Sequence, residues 1–187
     1  MRVIAGKFGS RRLRTLRGLA LRPTSDRLRE TLFDILGGEV RDSLFIDAFA
    51  GAGAVGIEAL SRGAREVFFI ENHRPTANLI HKNLQSLGIS SGAEVLAMNA
   101  IRGFEQLAAR RLLADFIFLD PPYAKTSDYL EVLNFLDGSR LLAPRGLVIV
   151  EHHRKLDLPS RLHNLEESRV VEQGESALTF YRLALAA

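Results

Sequence analysis

Cysteine is absent from this sequence of 187 residues. Without cysteine the chain can form neither a disulfide framework nor a thiolate zinc site. It also cannot attack a pyrimidine ring through a thiolate, because that chemistry needs a cysteine nucleophile. No apolar run approaches the roughly 20 residues that span a bilayer, and the basic N-terminus lacks the apolar core of a signal peptide. We therefore expect a soluble cytoplasmic protein.

Basic residues are concentrated at the N-terminus. Residues 1–29 hold nine arginines and lysines against Asp26 alone, a net charge of +8, so the remainder must carry −5 to give the total of +3. This segregation predicts a basic arm that meets nucleic-acid phosphates and a roughly neutral body. We place the arm at residues 1–22, as a small β-hairpin, and a single-domain body at residues 23–187. The candidate phosphate contacts are Arg11, Arg12, Arg14 and Arg17.

Strand-like and helix-like segments alternate through the body. A helix should begin after Pro23, with Thr24 or Ser25 as its N-cap, and end at Gly37. Apolar strands are predicted at residues 44–49, 66–71, 93–98, 115–120 and 146–152. Helical patterns separate them, and the chain closes with an antiparallel hairpin around Gly174. The predicted fold is α/β, a doubly wound Rossmann-like domain with a mostly parallel seven-stranded sheet.

The first strand runs into a glycine-rich turn, "IDAFAGAGAVGIEAL". Gly51, Gly53 and Gly56 have the spacing of a dinucleotide-binding turn, and Glu71 ends the next strand, where an acid can hold ribose hydroxyls. Asp47 argues against a dinucleotide, because a carboxylate there repels a pyrophosphate at the helix N-terminus. It suits S-adenosylmethionine, which lacks phosphate and carries a sulfonium and an ammonium. The turn therefore predicts a site for that methyl donor.

The fourth strand ends in "FLDPPY". Two prolines make a stiff turn, but stiffness alone does not explain the acid and the tyrosine beside them. The Asp120 side chain and a backbone carbonyl of the Pro121-Pro122 turn can accept the two hydrogens of an exocyclic amine. They would direct its lone pair toward a methyl group and stabilise the developing positive charge. Tyr123 can stack on a base taken out of its helix. The pattern predicts an amine-methylating turn.

The sequence resembles the bacterial 16S ribosomal RNA guanine-N2 methyltransferases over nearly its whole length. The matching stretches are "RVIAGKFGSRRL", "RPTSDRLRETLFDIL", "DAFAGAGAVGIEALSRGA", "FLDPPY" and "GESALTFYR". The proline turn alone marks amino-group methyltransferases acting on nucleic acid. The two N-terminal stretches narrow the resemblance to this family.

This resemblance implies methyl transfer from S-adenosylmethionine to the exocyclic N2 amine of a guanine in 16S ribosomal RNA, with S-adenosylhomocysteine as product. It also implies that the arm contacts RNA. We further expect a small-subunit particle as the substrate, and a monomer that uses no metal. The expected donor-binding residues are Arg22, Thr24, Asp47, Phe49, Ala50, Gly51, Gly53, Glu71, Asn72, Asn99 and Ala100. The residues expected at the target base are Asp120, Pro121, Pro122 and Tyr123.

Two other functions remain open on the sequence. An adenine-N6 or cytosine-N4 DNA methyltransferase would share the proline turn, although the chain has no obvious room for a separate target-recognition domain. A non-catalytic RNA-binding ribosome assembly factor could keep the fold, although a binder has no use for Asp120. His152 and His153 lack a third ligand at useful spacing, so we interpret them as strand-end residues rather than a metal site.

Overall fold

The computed structural model describes residues 1–15, 25–121 and 126–184. The strands are β1 Leu44–Ala48, β2 Glu66–Ile70, β3 Ala93–Leu96, β4 Ala114–Leu119, β5 Leu142–His153, β6 Leu165–Gln173 and β7 Ser176–Leu183. The α-helices are α1 Asp26–Leu36, α2 Ala54–Ser61, α3 Arg74–Ser86, α4 Ala100–Ala109 and α5 Thr126–Gly138. Short 3₁₀ helices lie at Gly6–Phe8 and Gly37–Val40. Within these residues, no helix has the length and apolar character needed to cross a bilayer.

The strands form one mixed seven-stranded sheet in the order β3-β2-β1-β4-β5-β7-β6. Strands β1, β2 and β3 are parallel neighbours, as are β4 and β5, whereas β7 runs antiparallel to both β5 and β6. The predicted α/β class and the C-terminal antiparallel hairpin are therefore confirmed. The chain divides into two compact units, Met1–Asn99 and Ala100–Ala187.

In the first unit, α1 packs its apolar face toward β1. The helix begins where the sequence predicts, because the Ser25 hydroxyl accepts a hydrogen bond from the Leu28 N–H at 3.1 Å. Phe33 of α1 stacks on Phe45 of β1 with ring centroids 6.2 Å apart. Every residue of β1 is buried, which is what a central strand with both faces covered requires. The strand ends at Ala48, and the loop that leads to α2 begins at Phe49.

In the second unit, β4 pairs with β5 and the hairpin β6–β7 extends the sheet. Gly174 adopts a φ of +64° in the turn between Gln173 and Ser176, which explains the glycine there. Helix α4 ends at Ala109. The reason is that Arg111 takes a left-handed φ of +56°, which no helix can continue.

The first thirteen residues fold back on themselves without forming strands. The Val3 N–H donates to the Arg11 carbonyl and the Ser10 N–H donates to the Val3 carbonyl, both at 2.9 Å. The antiparallel pairing that a β-hairpin requires is limited to one bridge, between Arg2 and Arg12. Positive φ angles at Gly6 and Ser10 interrupt the extended conformation, so the described part of the arm is an antiparallel loop around a 3₁₀ turn.

Candidate functional site

Asp47 lies near the carboxyl end of β1 and is 2% exposed. Its Oδ2 accepts a hydrogen bond of 2.8 Å from the Gly56 N–H, in the first turn of α2. Burial raises the pKa of the Asp47 carboxyl from 3.8 to about 8, the Gly56 bond opposes the change, and the charge of Glu71 adds to it. Asp47 is therefore a buried acid whose ionised form would be favoured by a nearby cation.

The loop between β1 and α2 depends on backbone conformations that favour glycine. Gly51 and Gly53 have φ angles of +55° and +80°, and Phe49 reaches +60° without being glycine. A Cβ added at Gly56 would lie 2.3 Å from the ring of Phe69, so this glycine lets α2 pack closely on β2. A Cβ at Gly51 would meet nothing within 4 Å, so the loop borders open space there.

Glu71 joins this loop to the end of β2. Its Oε2 accepts from the Gly51 N–H at 2.9 Å, and its Oε1 accepts from the His73 N–H at 2.8 Å. The Ala50 N–H donates to the Ile70 carbonyl at 3.0 Å, which ties the same two segments together. The structure thus places Glu71 directly beside the glycine loop, as an acid that can still accept hydrogen bonds because each carboxylate oxygen has a second lone pair.

The other expected donor-binding residues follow β1, β2 or β3, or lie outside the described residues. Ala50 is buried in the loop, and Phe49 is partly exposed before it. Asn72 is exposed after β2, while Asn99 is exposed and immediately precedes α4, whose first residue is Ala100. Arg22 and Thr24 lie outside the described residues.

The proline turn follows β4 in the second unit. Asp120 is partly exposed and comes directly after Leu119, which pairs with Val150 of β5. The carbonyl of the buried Pro121 accepts a hydrogen bond from the Tyr129 hydroxyl of α5 at 3.3 Å. Pro122 and Tyr123 lie outside the described residues. In this unit, Asp120 therefore lies at the end of β4 and is followed by the Pro121 carbonyl, which accepts a hydrogen bond from α5.

Three of the four candidate arginines for phosphate contact can be placed. Arg11, Arg12 and Arg14 are all exposed on the arm, whereas Arg17 lies outside the described residues. The Arg11 Nη2 donates to the Ser86 carbonyl at the end of α3, at 3.1 Å. Arg11 thus has a contact that helps hold the arm, in addition to any contact with a partner.

Sequence reasoning missed the residues that hold the arm in place. Glu58 of α2 is fully buried and accepts from the Ile4 and Ala5 N–H groups at 2.7 and 3.0 Å. The Ser61 hydroxyl accepts from the Phe8 N–H at 2.9 Å and donates to the Ala5 carbonyl. The available signal was a glutamate inside the apolar stretch "VGIEALS", because a buried acid needs partners.

His152 and His153 are the last two residues of β5, as predicted. The buried His152 lies 2.8 Å from the Thr179 hydroxyl and 2.9 Å from the His153 carbonyl, so protein groups occupy both ring nitrogens. Burial lowers the pKa of His152, which keeps the ring neutral. His152 is thus a packed, hydrogen-bonded residue of the sheet.

The chain is similar to known proteins over nearly its whole length. The chain matches the family described as "Conserved hypothetical protein 95" over residues 1–182. It is 36% identical to ribosomal RNA small subunit methyltransferase D of Haemophilus influenzae, over 98% of this chain and 92% of that protein. The solved structure of "Putative methyltransferase yhhF" from Escherichia coli is 32% identical, covers 98% of each chain and gives a TM-score of 0.86.

A more distant solved structure shares the fold alone. SMU.776, "a putative methyltransferase complexed with SAH", is 14% identical, with a TM-score of 0.68 over 84% of this chain and 48% of that chain.

Proposed function

Since the chain belongs to the Conserved hypothetical protein 95 family and is a relative of ribosomal RNA small subunit methyltransferase D, we propose that it is an S-adenosylmethionine-dependent methyltransferase of ribosomal RNA. More specifically, the methyl group goes to the exocyclic N2 amine of a guanine in 16S ribosomal RNA, and S-adenosylhomocysteine is released. The protein acts as a monomer on a small-subunit particle in the bacterial cytoplasm.

The glycine loop and its two carboxylates fit this donor. Open space beside Gly51 lets a ligand approach the backbone, and Glu71 accepts from the ribose hydroxyls through its remaining lone pairs. Asp47 faces the cationic part of the donor. When bound, the donor supplies an electrophilic methyl group, and its sulfur keeps the electron pair of the broken bond. The remaining donor contacts we propose are Arg22, Thr24, Phe49, Ala50, Gly53, Asn72, Asn99 and Ala100.

The hydrogen bond from the Gly56 N–H to Asp47 is the observation that carries the proposal. In a dinucleotide-binding turn, a pyrophosphate takes the N–H groups at the start of this helix. Here a carboxyl oxygen already accepts from the first turn of α2 at 2.8 Å, so a pyrophosphate would have to displace it. A donor with cationic groups and no phosphate instead favours the ionised form of Asp47.

At the reacting amine, the proline turn supplies two acceptors. The Asp120 carboxylate and a backbone carbonyl of the turn accept the two N2 hydrogens, which points the nitrogen lone pair at the methyl carbon. As the new N–C bond forms, positive charge develops on the nitrogen and Asp120 stabilises it. The methylated nitrogen then releases one of its two protons to solvent, and no strong base is needed. Tyr123 stacks on the guanine ring.

The basic arm of residues 1–22 positions the RNA on the body of residues 23–187. Arg12 and Arg14 are exposed on the described part of the arm. Arg11 is also exposed, although its guanidinium additionally contacts Ser86. With Arg17, these side chains contact phosphates, which gives affinity and orientation but no base specificity.

Labelled methyl transfer tests the proposal directly. The protein is incubated with labelled S-adenosylmethionine and small-subunit particles that lack the modification, and the RNA is digested to nucleosides. The expected label is in N2-methylguanosine. A second incubation replaces the particles with DNA. Label in N6-methyladenine or N4-methylcytosine of that DNA would instead support the function of a DNA methyltransferase. Particle binding without donor binding would support the assembly factor.

An Asp120 variant tests the assigned chemistry. Asp120→Ala should lower the single-turnover transfer rate by roughly 10²–10³, the effect of losing one preorganised acceptor, and leave donor affinity within a few-fold. Asp115→Ala is the matched control, because Asp115 lies near the start of the same strand, β4. Similar rates for both variants would contradict the role of the proline turn.

A further inference from the structure

Asn83 of α3 is fully buried and contacts two different segments of the first unit. Its Oδ1 accepts from the Arg14 N–H at 2.8 Å, and its Nδ2 donates to the Arg14 carbonyl at 3.2 Å. The same Nδ2 donates to the Ala52 carbonyl at 3.0 Å. One side-chain amide therefore joins the main chain of the basic arm to the middle of the glycine loop.

The hydrogen-bonding chemistry fixes the orientation of this amide. A backbone N–H can only donate and a carbonyl can only accept, so the Asn83 oxygen must face the Arg14 N–H and its nitrogen must face the two carbonyls. Both Nδ2 hydrogens are used in this way. If the amide were rotated by half a turn, its oxygen would face the two carbonyl oxygens and form no hydrogen bond with them. Leaving these buried acceptors unpaired would destabilise the fold. Asn83 consequently holds both segments in one arrangement.

The glycine loop has little freedom on the side that faces α3. Ala52 lies between Gly51, whose N–H donates to Glu71, and Gly53, whose N–H donates to the Ala50 carbonyl at 2.7 Å. A Cβ built at Gly53 would come within 3.1 Å of the side chain of Ile80, also in α3. A displacement of the Ala52 carbonyl would therefore disturb the loop that borders the proposed donor site.

The arm is held at its other end by groups that do not touch this loop. Ser61 binds Phe8 and Ala5 through its hydroxyl, and the Arg11 guanidinium donates to the Ser86 carbonyl. Asn83, in contrast, binds the arm at Arg14 and also reaches the glycine loop at Ala52. Ser61 is therefore a matched reference, because it is also buried and also anchors arm backbone.

We infer that Asn83 is a positioning residue that couples the RNA-binding arm to the donor-binding loop, so that ribosomal RNA and S-adenosylmethionine each strengthen the binding of the other. The inference rests on the proposed function. Ordering of the arm by RNA fixes Arg14, Asn83 transmits this order to Ala52, and the loop is then better arranged for the donor. Linkage requires the reverse effect to be equally large.

Equilibrium dialysis with labelled S-adenosylhomocysteine tests the coupling without turnover. Its dissociation constant is measured with and without saturating, unmodified small-subunit particles. In the wild type the particles should tighten binding roughly fivefold, at the lower end of typical allosteric couplings. Asn83→Ala should reduce this factor to about one, whereas Ser61→Ala should retain it, although both variants lose an anchor of the arm.

The outcomes separate the inference from the proposed function. Coupling that survives in Asn83→Ala, that is absent in the wild type, or that is lost equally in Ser61→Ala would overturn the inference and leave the enzyme assignment intact. A wild type that binds no S-adenosylhomocysteine would overturn the proposed function and the inference together. A purely structural role for Asn83 would lower thermal stability in both variants without changing the coupling factor.

Amide hydrogen exchange in the wild type gives an answer even if Asn83→Ala does not fold. S-adenosylhomocysteine should slow exchange of the Arg14 amide severalfold, because Asn83 links that amide to the loop. The Phe8 amide, bound to the Ser61 hydroxyl, is the internal control and should not respond. Equal responses at Arg14 and Phe8, or no response at Arg14, would contradict the inference.

Discussion

Two buried carboxylates contact α2, and their surroundings differ. Glu58, within the helix, accepts from the Ile4 and Ala5 N–H groups and pairs with two arginines. The Arg62 Nε lies 2.9 Å from Glu58, and the Nε of the buried Arg29 lies 3.9 Å away. Asp47, near the end of β1, accepts from the Gly56 N–H in the first turn of α2. The protein itself supplies the cations for Glu58, whereas for Asp47 the burial cost outweighs the nearby positive charge.

The difference separates a structural acid from one that can respond to a ligand. A buried carboxylate with two N–H donors and two cations has its charge compensated within the fold. Asp47 has a pKa raised to about 8, so near neutral pH it holds a proton that an incoming cation would displace. Glu58 thus holds α2 to the arm, whereas Asp47 is the acid that we propose for the donor.

The largest expected effect is a loss of stability when Glu58 is removed. Glu58→Ala should destabilise the fold by about 3–5 kcal/mol, because it removes the carboxylate that faces the Nε of the buried Arg29 and orphans two backbone donors. Urea denaturation measures the change. Glu30→Ala removes an exposed glutamate of α1 and should stay within about 0.5 kcal/mol of the wild type. Equal stabilities of the two variants would remove the distinction between the acids.

Asp47→Asn tests the other acid. We expect this variant to raise the stability of the fold, whereas Glu58→Ala lowers it. Asparagine keeps an acceptor for the Gly56 N–H but removes the ionisable group, so donor binding should weaken by roughly 1–3 kcal/mol while the fold becomes more stable. The folded pKa of about 8 lies above the ordinary 3.8, so the wild type loses stability as pH rises between those values. The gain in stability from Asp47→Asn should consequently be larger at pH 8 than at pH 5.

Donor affinity should show the same titration. As the pH rises from 5.5 to 7 it approaches the pKa of Asp47, and the ionised fraction of this carboxyl increases. The wild type should therefore bind the donor more tightly, by at most about tenfold per pH unit. Calorimetry across this range, in buffers of different ionisation enthalpy, should detect proton release on binding. A wild-type profile as flat as that of Asp47→Asn would show that Asp47 does not meet the cationic part of the donor.

A smaller effect is expected where the arm meets α2. A Cβ at Gly6 would lie 2.0 Å from the Ser61 carbonyl oxygen, and the φ of +78° disfavours alanine independently. Gly6→Ala should destabilise by roughly 1–3 kcal/mol, limited by the free energy of docking the arm, because the arm can detach. Gly38→Ala has open space around its Cβ and serves as the control. Thermal unfolding and proteolysis within residues 1–13 report the difference.

The smallest effect concerns the exposed side chains of Arg12 and Arg14. Replacing Arg12 and Arg14 with Gln should reduce the magnitude of the log–log salt slope of RNA affinity by ~0.7–0.9 per lost phosphate contact. Donor affinity should remain unchanged, because the backbone of Arg14 still reaches Asn83. Arg11→Gln should additionally loosen the arm, since its guanidinium binds the Ser86 carbonyl. An unchanged salt slope in the double variant would place the RNA elsewhere.

The sequence predicted those parts of the molecule whose causes are local. Strand β1 could be recognised because it is apolar apart from Asp47, as a strand buried on both faces tends to be, and α1 because Ser25 caps it and Gly37 follows it. The glycine loop was visible for a similar reason, since Gly51 and Gly53 supply positive φ angles. In each case the residues that determine the structure are neighbours in the chain.

The anchors of the arm could not be predicted because their partners are main-chain atoms far away in sequence. Glu58 binds amides more than fifty positions earlier, and Asn83 binds Arg14 across 69 positions. Every residue carries such N–H and carbonyl groups, so no residue type marks the partner. The sequence could show only that Glu58 and Asn83 were polar residues on otherwise apolar helix faces.

Docking through main-chain groups leaves the arm free to diversify. Glu58, Ser61 and Asn83 form their hydrogen bonds with the backbone of the arm. Exposed positions such as Lys7, Arg12 and Arg14 can therefore exchange charge or size without undocking the segment, provided that Gly6 is kept. The exposed side chains of the arm can therefore vary while the hydrogen bonds that dock its backbone stay the same.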